Sequence, residues 1–294
     1  MEIDVQGTVL PIIVFFTMVS VGLDLEVAQI IQVLRRPRLP LLGTLIHTFT
    51  LPIIALLMVS TVVALELPVA GALMIGTLLI AACPSGGFSN VLVMMAKADL
   101  ALSVILTTIS TALSFLTIPL FFWSFAYFLP DGSAITVPIG ATLLQLLKLI
   151  VLPIVLGGVL RHVFVQLATS YKGGFQRLMQ LAIYVVVAAI FAQQWNIVQP
   201  LFIPALAVSL LLCGMTMKAG YWVAAKLALP ASACATIALE SSVRNLAVAF
   251  LVATNILERT DVAVLPSVYF VAVLLFGVIF AKLWTPPGEK SQMP

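Results

Sequence analysis

The chain has 294 residues, of which 62% are hydrophobic and only 9% are charged, and its mean hydropathy is +1.21. This composition excludes a soluble globular domain, because such domains are about 25% charged and about half apolar. The formal net charge of +3 is too small to indicate nucleic-acid binding. The composition therefore predicts an all-α polytopic membrane protein.

Apolar stretches long enough to cross a bilayer recur along the whole chain. They predict nine transmembrane helices in one integral-membrane domain over residues 1–294, near residues 8–31, 39–64, 68–97, 100–128, 135–163, 176–195, 200–226, 230–255 and 262–284. Three cysteines, Cys83, Cys213 and Cys234, lie inside these stretches. They are predicted to be buried thiols and not disulfide or metal partners.

Basic residues concentrate in alternate loops. One side of the predicted membrane carries Arg35, Arg36, Arg38, Lys97, Arg161, Lys172, Arg177, Lys226, Lys282 and Lys290. The other side carries Glu66, Asp131, Glu258, Arg259 and Asp261. Because short cytoplasmic loops are enriched in Lys and Arg, the amino terminus is predicted outside and the carboxyl terminus in the cytoplasm. The expected location is a plasma membrane, such as a bacterial inner membrane.

The eighth apolar stretch contains Glu240 and Arg244. A charged side chain at mid-membrane costs at least about 2.5–3.5 kcal/mol, so such residues usually face a partner or a water-filled cavity. In an unbroken helix these two residues, four positions apart, would share a face and could form a structural ion pair. The other interpretation is a functional site.

The third apolar stretch is interrupted at residues 83–90, whose sequence is Cys-Pro-Ser-Gly-Gly-Phe-Ser-Asn. A Pro followed by two Gly residues cannot continue a regular helix without freeing backbone groups. In a membrane, such groups must contact protein or line a water-filled cavity. Two interrupted segments in corresponding positions of two halves indicate a transporter site at a repeat interface.

The chain also contains an internal repeat. Residues 65–68 (Leu-Glu-Leu-Pro) open the third stretch and residues 227–230 (Leu-Ala-Leu-Pro) open the eighth. Each stretch is then interrupted by a polar group that ends in Asn, at Asn90 and Asn245. Because the two stretches are predicted to run in opposite directions, the repeats are inverted, over about 8–128 and 135–284, with broken helices at about 68–97 and 230–255. This architecture is typical of alternating-access carriers.

These motifs, together with residues 21–25 (Val-Gly-Leu-Asp-Leu), 100–107 and 240–245, resemble the bile acid:sodium symporter family. The resemblance extends along almost the whole chain. It implies a panel domain and a core domain, the core carrying two crossed discontinuous helices. The chain looks like the nine-span members of that family, which lack the first helix of ten-span members.

The resemblance also implies a sodium site. Its residues are Ser89, Asn90, Ser103, Thr107 and Glu240. They suit the ion, because sodium is a hard cation that takes oxygen ligands. Ser103 and Thr107 are one helical turn apart and so face the same way.

A second sodium site of the family matches less well. Its two Gln ligands correspond to His47 and Arg244, near backbone oxygens of Glu240, Ser241 and Val243. Arg244 offers only hydrogen-bond donors and cannot ligate a cation. The second site is therefore predicted to be degenerate, with the Arg244 charge in place of the ion and with one sodium site retained.

The helix breaks favour an anionic substrate, because half-helix amino termini present free amides and a positive dipole end. The predicted substrate contacts are Ser85, Gly86, Gly87, Phe88 and Asn245. The predicted function is secondary active transport of an organic anion, either a small carboxylate or a bile-acid-like molecule. Sodium is the coupling ion, no other cofactor is expected, and the partners are the substrate, sodium and the lipid bilayer.

Other functions fit the residues less well. Proton coupling through His47 and Glu240 is the main alternative, because histidine titrates near physiological pH. Lys148 is expected at depth, where it neutralises Glu240 or meets the anion, whereas Lys218 is expected to extend towards the cytoplasmic surface. A channel, a receptor or an intramembrane enzyme is less favoured, since the polar groups gather at one point and no paired acids accompany the serines beside Glu240.

Overall fold

The computed structural model describes residues 5–24, 35, 37–125 and 139–284. Within these ranges the chain is helical and contains no strand. The helices are α1 (Leu10–Gly22), α2 (Arg38–Ala64), α3 (Gly71–Ala82), α4 (Phe88–Met95), α5 (Leu100–Phe125), α6 (Ile139–Leu146), α7 (Leu152–Val163), α8 (Val165–Gln193), α9 (Trp195–Lys226), α10 (Ala231–Ser242), α11 (Leu246–Leu251) and α12 (Val264–Leu283). A π-helical turn, Leu147–Val151, joins α6 to α7, and another, Val252–Ile256, continues α11.

Seven helices of the described ranges are long and apolar enough to cross a membrane. They confirm a polytopic helical membrane protein. The other two predicted spans correspond to the shorter apolar helices Gly7–Gly22 and Gly71–Ala82, so the total of nine stays a prediction. The end of the first predicted span, Arg36, Asp131 and Lys290 lie outside the described residues.

The predicted loop between the fifth and sixth spans is wrong. Helix α7 ends at Val163 and α8 begins at Val165, so Phe164 alone forms the turn. Lys172 therefore lies within α8 and not in a loop. The predicted sixth span began only at residue 176. Gly173 and Gly174 lie within α8, and each helical Gly costs only about 1 kcal/mol, which a long helix tolerates.

Unusual backbone conformations recur in the two halves of the chain. Glu66 before α3 and Ala228 before α10 have φ angles of 48° and 54°. Lys97 after α4 and Glu258 after α11 both have a φ of 52°. These are the non-glycine residues with positive φ in the described part, and this conformation costs such residues about 1–2 kcal/mol. The same strained turn thus stands before and after each broken pair of helices.

Helix α1 packs on α7 and α8 and also contacts α11, whereas α2, α5, α9 and α12 pack on the broken helices. Backbones of α1 and α7 approach very closely, since a Cβ added at Gly157 would lie 2.9 Å from the Gly22 Cα atom. Small residues permit such approach between membrane helices, where dispersion contacts replace hydrophobic driving force.

Candidate functional site

The two broken segments cross with their backbones in contact. Helix α3 ends at Ala82 and α10 ends at Ser242, and each is followed by an extended residue. The backbone N–H of Asn245 donates to the Pro84 carbonyl over 2.9 Å. A Cβ added at Gly86 would lie 2.9 Å from the Arg244 carbonyl oxygen, so this position requires glycine.

The Glu240 carboxylate lies at this crossing and is completely buried. Its Oε2 atom accepts from the Ser85 hydroxyl over 2.5 Å, and its Oε1 atom accepts from Ser89 and Ser103 over 2.6 and 2.5 Å. The Thr107 hydroxyl lies 3.1 and 3.0 Å from the two carboxylate oxygens. Four hydroxyl groups, from the first break, α4 and α5, therefore surround one buried carboxylate.

The hydroxyl groups around Glu240 have more oxygen atoms within hydrogen-bonding distance than they have protons to donate. Ser103 Oγ lies 2.5 Å from Glu240 Oε1 and 2.7 Å from Asn90 Oδ1. Ser89 Oγ lies 2.6 Å from Glu240, 2.9 Å from the Gly86 carbonyl oxygen and 3.3 Å from Thr107 Oγ1. Each hydroxyl has one proton to donate. The cluster is consequently rich in oxygen lone pairs, which an added positive charge would stabilise.

Arg244 has a different set of partners. Its Nη2 atom donates to the carbonyl oxygens of His47 and Ser241 over 2.8 and 3.1 Å, and its Nη1 atom donates to Cys83 over 3.2 Å. The two described side chains of Glu240 and Arg244 form no ion pair within 4 Å. The helical pairing rule does not apply here, because the backbone leaves the helix after Ser242.

The Arg244 charge was predicted near the backbone oxygens of Glu240, Ser241 and Val243. Of these three, the Ser241 carbonyl accepts a hydrogen bond from Arg244, and the other two acceptors are the carbonyls of His47 and Cys83. The His47 ring is completely buried, and neither of its nitrogen atoms has a hydrogen-bond partner. It therefore makes no direct hydrogen bond to Glu240.

The predicted substrate residues lie in different surroundings. Ser85 belongs to the carboxylate cluster, and its backbone N–H donates to Ser110 Oγ over 3.3 Å. Gly87 is exposed, and a Cβ added there would meet nothing within 4 Å. Phe88 is half-buried, with its ring 5.3 Å from that of Phe270.

Asn90 and Asn245 do not occupy equivalent places at the two breaks. Helix α4 begins at Phe88, so Asn90 lies within its first turn. Asn245 stands immediately before α11, and its side chain accepts from the Val248 N–H over 3.2 Å. It is 7% exposed and acts as the amino-terminal cap of that helix.

Comparison with known proteins identifies the family. The family model of the Sodium Bile acid symporter family matches residues 11–201. The chain belongs to this family. The resemblance seen in the sequence motifs is thereby confirmed, and the protein is a membrane transporter and not an enzyme. Symport with sodium as the coupling ion is the mode of transport in this family, and no further cofactor is implied.

Similar proteins come from animals, bacteria and plants. The rabbit (Oryctolagus cuniculus) ileal sodium/bile acid cotransporter is 26% identical, over 95% of this chain and 80% of its own length. The uncharacterized sodium-dependent transporter YocS of Bacillus subtilis is 26% identical, over 94% and 82%. The probable sodium/metabolite cotransporter BASS2 of rice (Oryza sativa subsp. japonica) is 26% identical, over 93% of this chain and 63% of its length.

Other residues of this symporter family member differ from expectation. Lys148 was expected to neutralise Glu240 or to meet the anion, but its side chain is exposed and is not among the Glu240 partners. It lies in the π-helical turn between α6 and α7. Lys218 is exposed on α9. The three cysteines are buried free thiols, as predicted.

Two residues that support the crossing were missed by the sequence analysis. Ser110 Oγ donates to the Thr107 carbonyl over 3.1 Å and supports the first break through its contact with Ser85. Its place one turn after Thr107 was a usable signal. The Tyr269 hydroxyl donates to the Ser242 carbonyl over 2.7 Å, at the end of α10. No local pattern links Tyr269 to that helix end.

Proposed function

We propose that the protein carries an organic anion across the membrane by alternating access, with one sodium ion bound at Glu240. The other proposed ligands are Ser89, Asn90, Ser103 and Thr107, and Ser85 joins them. The observation that carries this proposal is the set of short oxygen contacts around the buried carboxylate. A sodium ion would be coordinated by the oxygen lone pairs that receive no hydroxyl proton, because sodium takes hydroxyl, amide and carboxylate oxygens as ligands.

The second proposed feature is that the Arg244 guanidinium takes the place of a second cation. It donates to carbonyls from α2, from the first break and from the end of α10, and so connects the crossing segments. A guanidinium is always charged and offers only donors, so it repels a second ion from these carbonyls. We therefore expect one sodium ion per transport cycle.

The proposed substrate is an organic anion, of the small-carboxylate or bile-acid-like class. Relatives are named for bile acid in the rabbit and for a metabolite in rice. Gly87 offers open space beside the amino terminus of α4, where free amides and the positive dipole end favour a carboxylate. Asn245 lies at the amino terminus of the other half-helix.

The proposed architecture has nine spans in two inverted repeats, with a panel domain and a core domain. The paired strained turns around the broken helices and the packing of α1 on α7 and α8 support it. We place the amino terminus outside and the carboxyl terminus in the cytoplasm, in a plasma membrane such as a bacterial inner membrane. Alternating access then exposes the crossing to each side in turn.

The test is the thermal stability of the purified protein in sodium, potassium and choline at several pH values. A cation that binds only the folded state must stabilise it. We expect sodium-selective stabilisation that disappears in Glu240→Gln and persists in Glu66→Gln, because the Glu66 side chain is exposed at a turn. If thermal stability instead depends on pH and not on sodium, and His47→Gln removes that dependence, the coupling ion is the proton.

Transport is measured next, in proteoliposomes with an imposed sodium gradient and a panel of labelled organic anions. Uptake of an anion that follows the sodium gradient supports the proposed function, and uptake of neutral compounds alone refutes the substrate class. The ratio of sodium to substrate tests the role of Arg244. Two sodium ions per cycle would contradict it.

A further inference from the structure

A group of buried polar atoms without partners lies where α2 meets the end of α10. Seven buried side-chain atoms in the described residues have no hydrogen-bond partner, and six of them belong to five side chains on α2 or at and just after the end of α10. They are Thr44 Oγ1, His47 Nδ1 and Nε2, Thr48 Oγ1, Ser241 Oγ and Arg244 Nε. Because buried polar groups are nearly always hydrogen-bonded, their concentration indicates a common ligand.

The five side chains lie on two segments that Arg244 connects. Thr44, His47 and Thr48 share one face of α2, since residues three and four apart are neighbours on a helix. The Nη2 atom of Arg244 joins this face to α10, through the carbonyls of His47 and Ser241. The exposed fractions of Thr44, His47, Ser241 and Arg244 are 8%, 0%, 0% and 5%.

The fixed charge of Arg244 disfavours a cation in this group. The Arg244 Nε atom can only donate, the three hydroxyls can donate, and a neutral imidazole offers one N–H. No described Asp or Glu side chain forms an ion pair with Arg244, and the Glu240 carboxylate is engaged by its own hydroxyl cluster. A fixed positive charge among donors is the environment that binds an anion.

We propose that this group, Thr44, His47, Thr48, Ser241 and Arg244, binds a compact monovalent anion. The anion is either a halide ion or the carboxylate group of a transported molecule, since both accept hydrogen bonds from N–H and O–H donors. The site itself does not require sodium at Glu240. Only its use by a transported carboxylate rests on the proposed function.

The experiment measures the apparent melting temperature of the purified protein at constant ionic strength, with chloride, acetate or a bulky sulfonate buffer anion. We expect chloride or acetate to raise it by about 2–4 °C relative to the sulfonate. The rise should be lost in the double variant Thr44→Val, Thr48→Val and reduced in Ser241→Ala. It should persist in Thr50→Val, because that hydroxyl already donates to the Ile46 carbonyl over 2.5 Å.

The two sources of the anion give different results. A response to chloride indicates a halide ion, and a response to acetate alone indicates the carboxylate of a transported molecule. The hydroxyl variants carry the test, because Arg244→Gln also removes hydrogen bonds to three carbonyls. Equal melting temperatures in all three anions, or a rise that the double variant retains, would overturn the proposal and assign the group to water.

Repeating the anion series in choline salts and with Glu240→Gln separates this proposal from the sodium site. We expect Glu240→Gln to remove the sodium response and to keep the anion response. A sodium response that is missing in the wild type, or that Glu240→Gln retains, together with a normal anion response, would refute the sodium assignment and leave the anion site standing. The reverse pattern would refute the anion site alone.

Discussion

The crossing of the broken helices can be tested with two adjacent glycines. The Cβ added by Gly86→Ala would lie 2.9 Å from the Arg244 carbonyl oxygen, 3.1 Å from its carbonyl carbon and 3.2 Å from the Asn245 Cα atom. All three are backbone atoms, which cannot rotate away. The Cβ added by Gly87→Ala meets nothing within 4 Å, and the φ angle of Gly87 is −56°, which any residue adopts.

The cost of Gly86→Ala follows from these contacts. Carbon atoms pack best at about 3.5–4.0 Å, so the two segments must separate by about half an ångström or more. Overpacking of this kind costs about 1–3 kcal/mol. The separation also weakens the bond of 2.9 Å between the Asn245 N–H and the Pro84 carbonyl, which contributes about 1 kcal/mol. We expect a total loss of about 2–4 kcal/mol, against less than about 0.5 kcal/mol for Gly87→Ala.

The assay is reversible denaturation of both purified variants in the same detergent, with and without sodium. Gly86→Ala should lower the free energy of unfolding and also weaken the response to sodium, because the crossing holds Ser85 and Ser89 against Glu240. Gly87→Ala should match the wild type in both measurements. Equal stability of the two variants would refute the direct backbone contact at the crossing.

Three further changes probe other contacts. Gly157→Ala should lower the melting temperature markedly, because the added Cβ would lie 2.9 Å from an α1 Cα atom. The control Gly173→Ala should not lower it, because its Cβ would meet nothing within 4 Å. Equal melting temperatures of the two variants would contradict the close packing of α1 and α7. Ser103→Ala should abolish the sodium-dependent rise in melting temperature, because its hydroxyl contacts Glu240. The control Ser114→Ala should retain the rise, since the Ser114 hydroxyl donates to a carbonyl of its own helix. A rise that persists in both variants would exclude Ser103 as a ligand. Tyr269→Phe should lower the free energy of unfolding, measured in denaturant, by about 1 kcal/mol, because it removes the hydrogen bond of 2.7 Å to the carbonyl at the end of α10. An unchanged free energy of unfolding would show that this hydrogen bond contributes nothing.

The breaks in the helices could be predicted because their causes are local. Pro84 and the two glycines after it cannot continue a helix, and a carboxylate in an apolar stretch requires partners. The family motifs then selected hydroxyls that the structure does bring to Glu240, such as Ser89 and Ser103. Ser85 was assigned to the substrate instead, because sequence spacing does not show which side of a break a side chain faces.

Other features depend on tertiary contacts that leave no local pattern. The carbonyls that accept from Arg244 belong to residues far away in the sequence, at His47 and Cys83. The rule for residues four apart predicted a contact between Glu240 and Arg244 only if the helix continued. The exposure of the Lys148 side chain could not be predicted for a related reason, since hydropathy locates a span and does not show which face of it is exposed.

The separation of Glu240 from Arg244 is itself informative about coupling. The extended backbone after Ser242 turns the two side chains to opposite kinds of partner, hydroxyl donors for the carboxylate and carbonyl acceptors for the guanidinium. The two charges cancel as a pair while each keeps its own hydrogen bonds. In the proposed cycle, a sodium ion on the carboxylate leaves the guanidinium charge uncompensated, and an anion beside Arg244 restores neutrality. By linkage, each of these ligands would raise the affinity for the other by the same factor. We therefore propose that one sodium ion and the fixed arginine charge couple an anion to the sodium gradient.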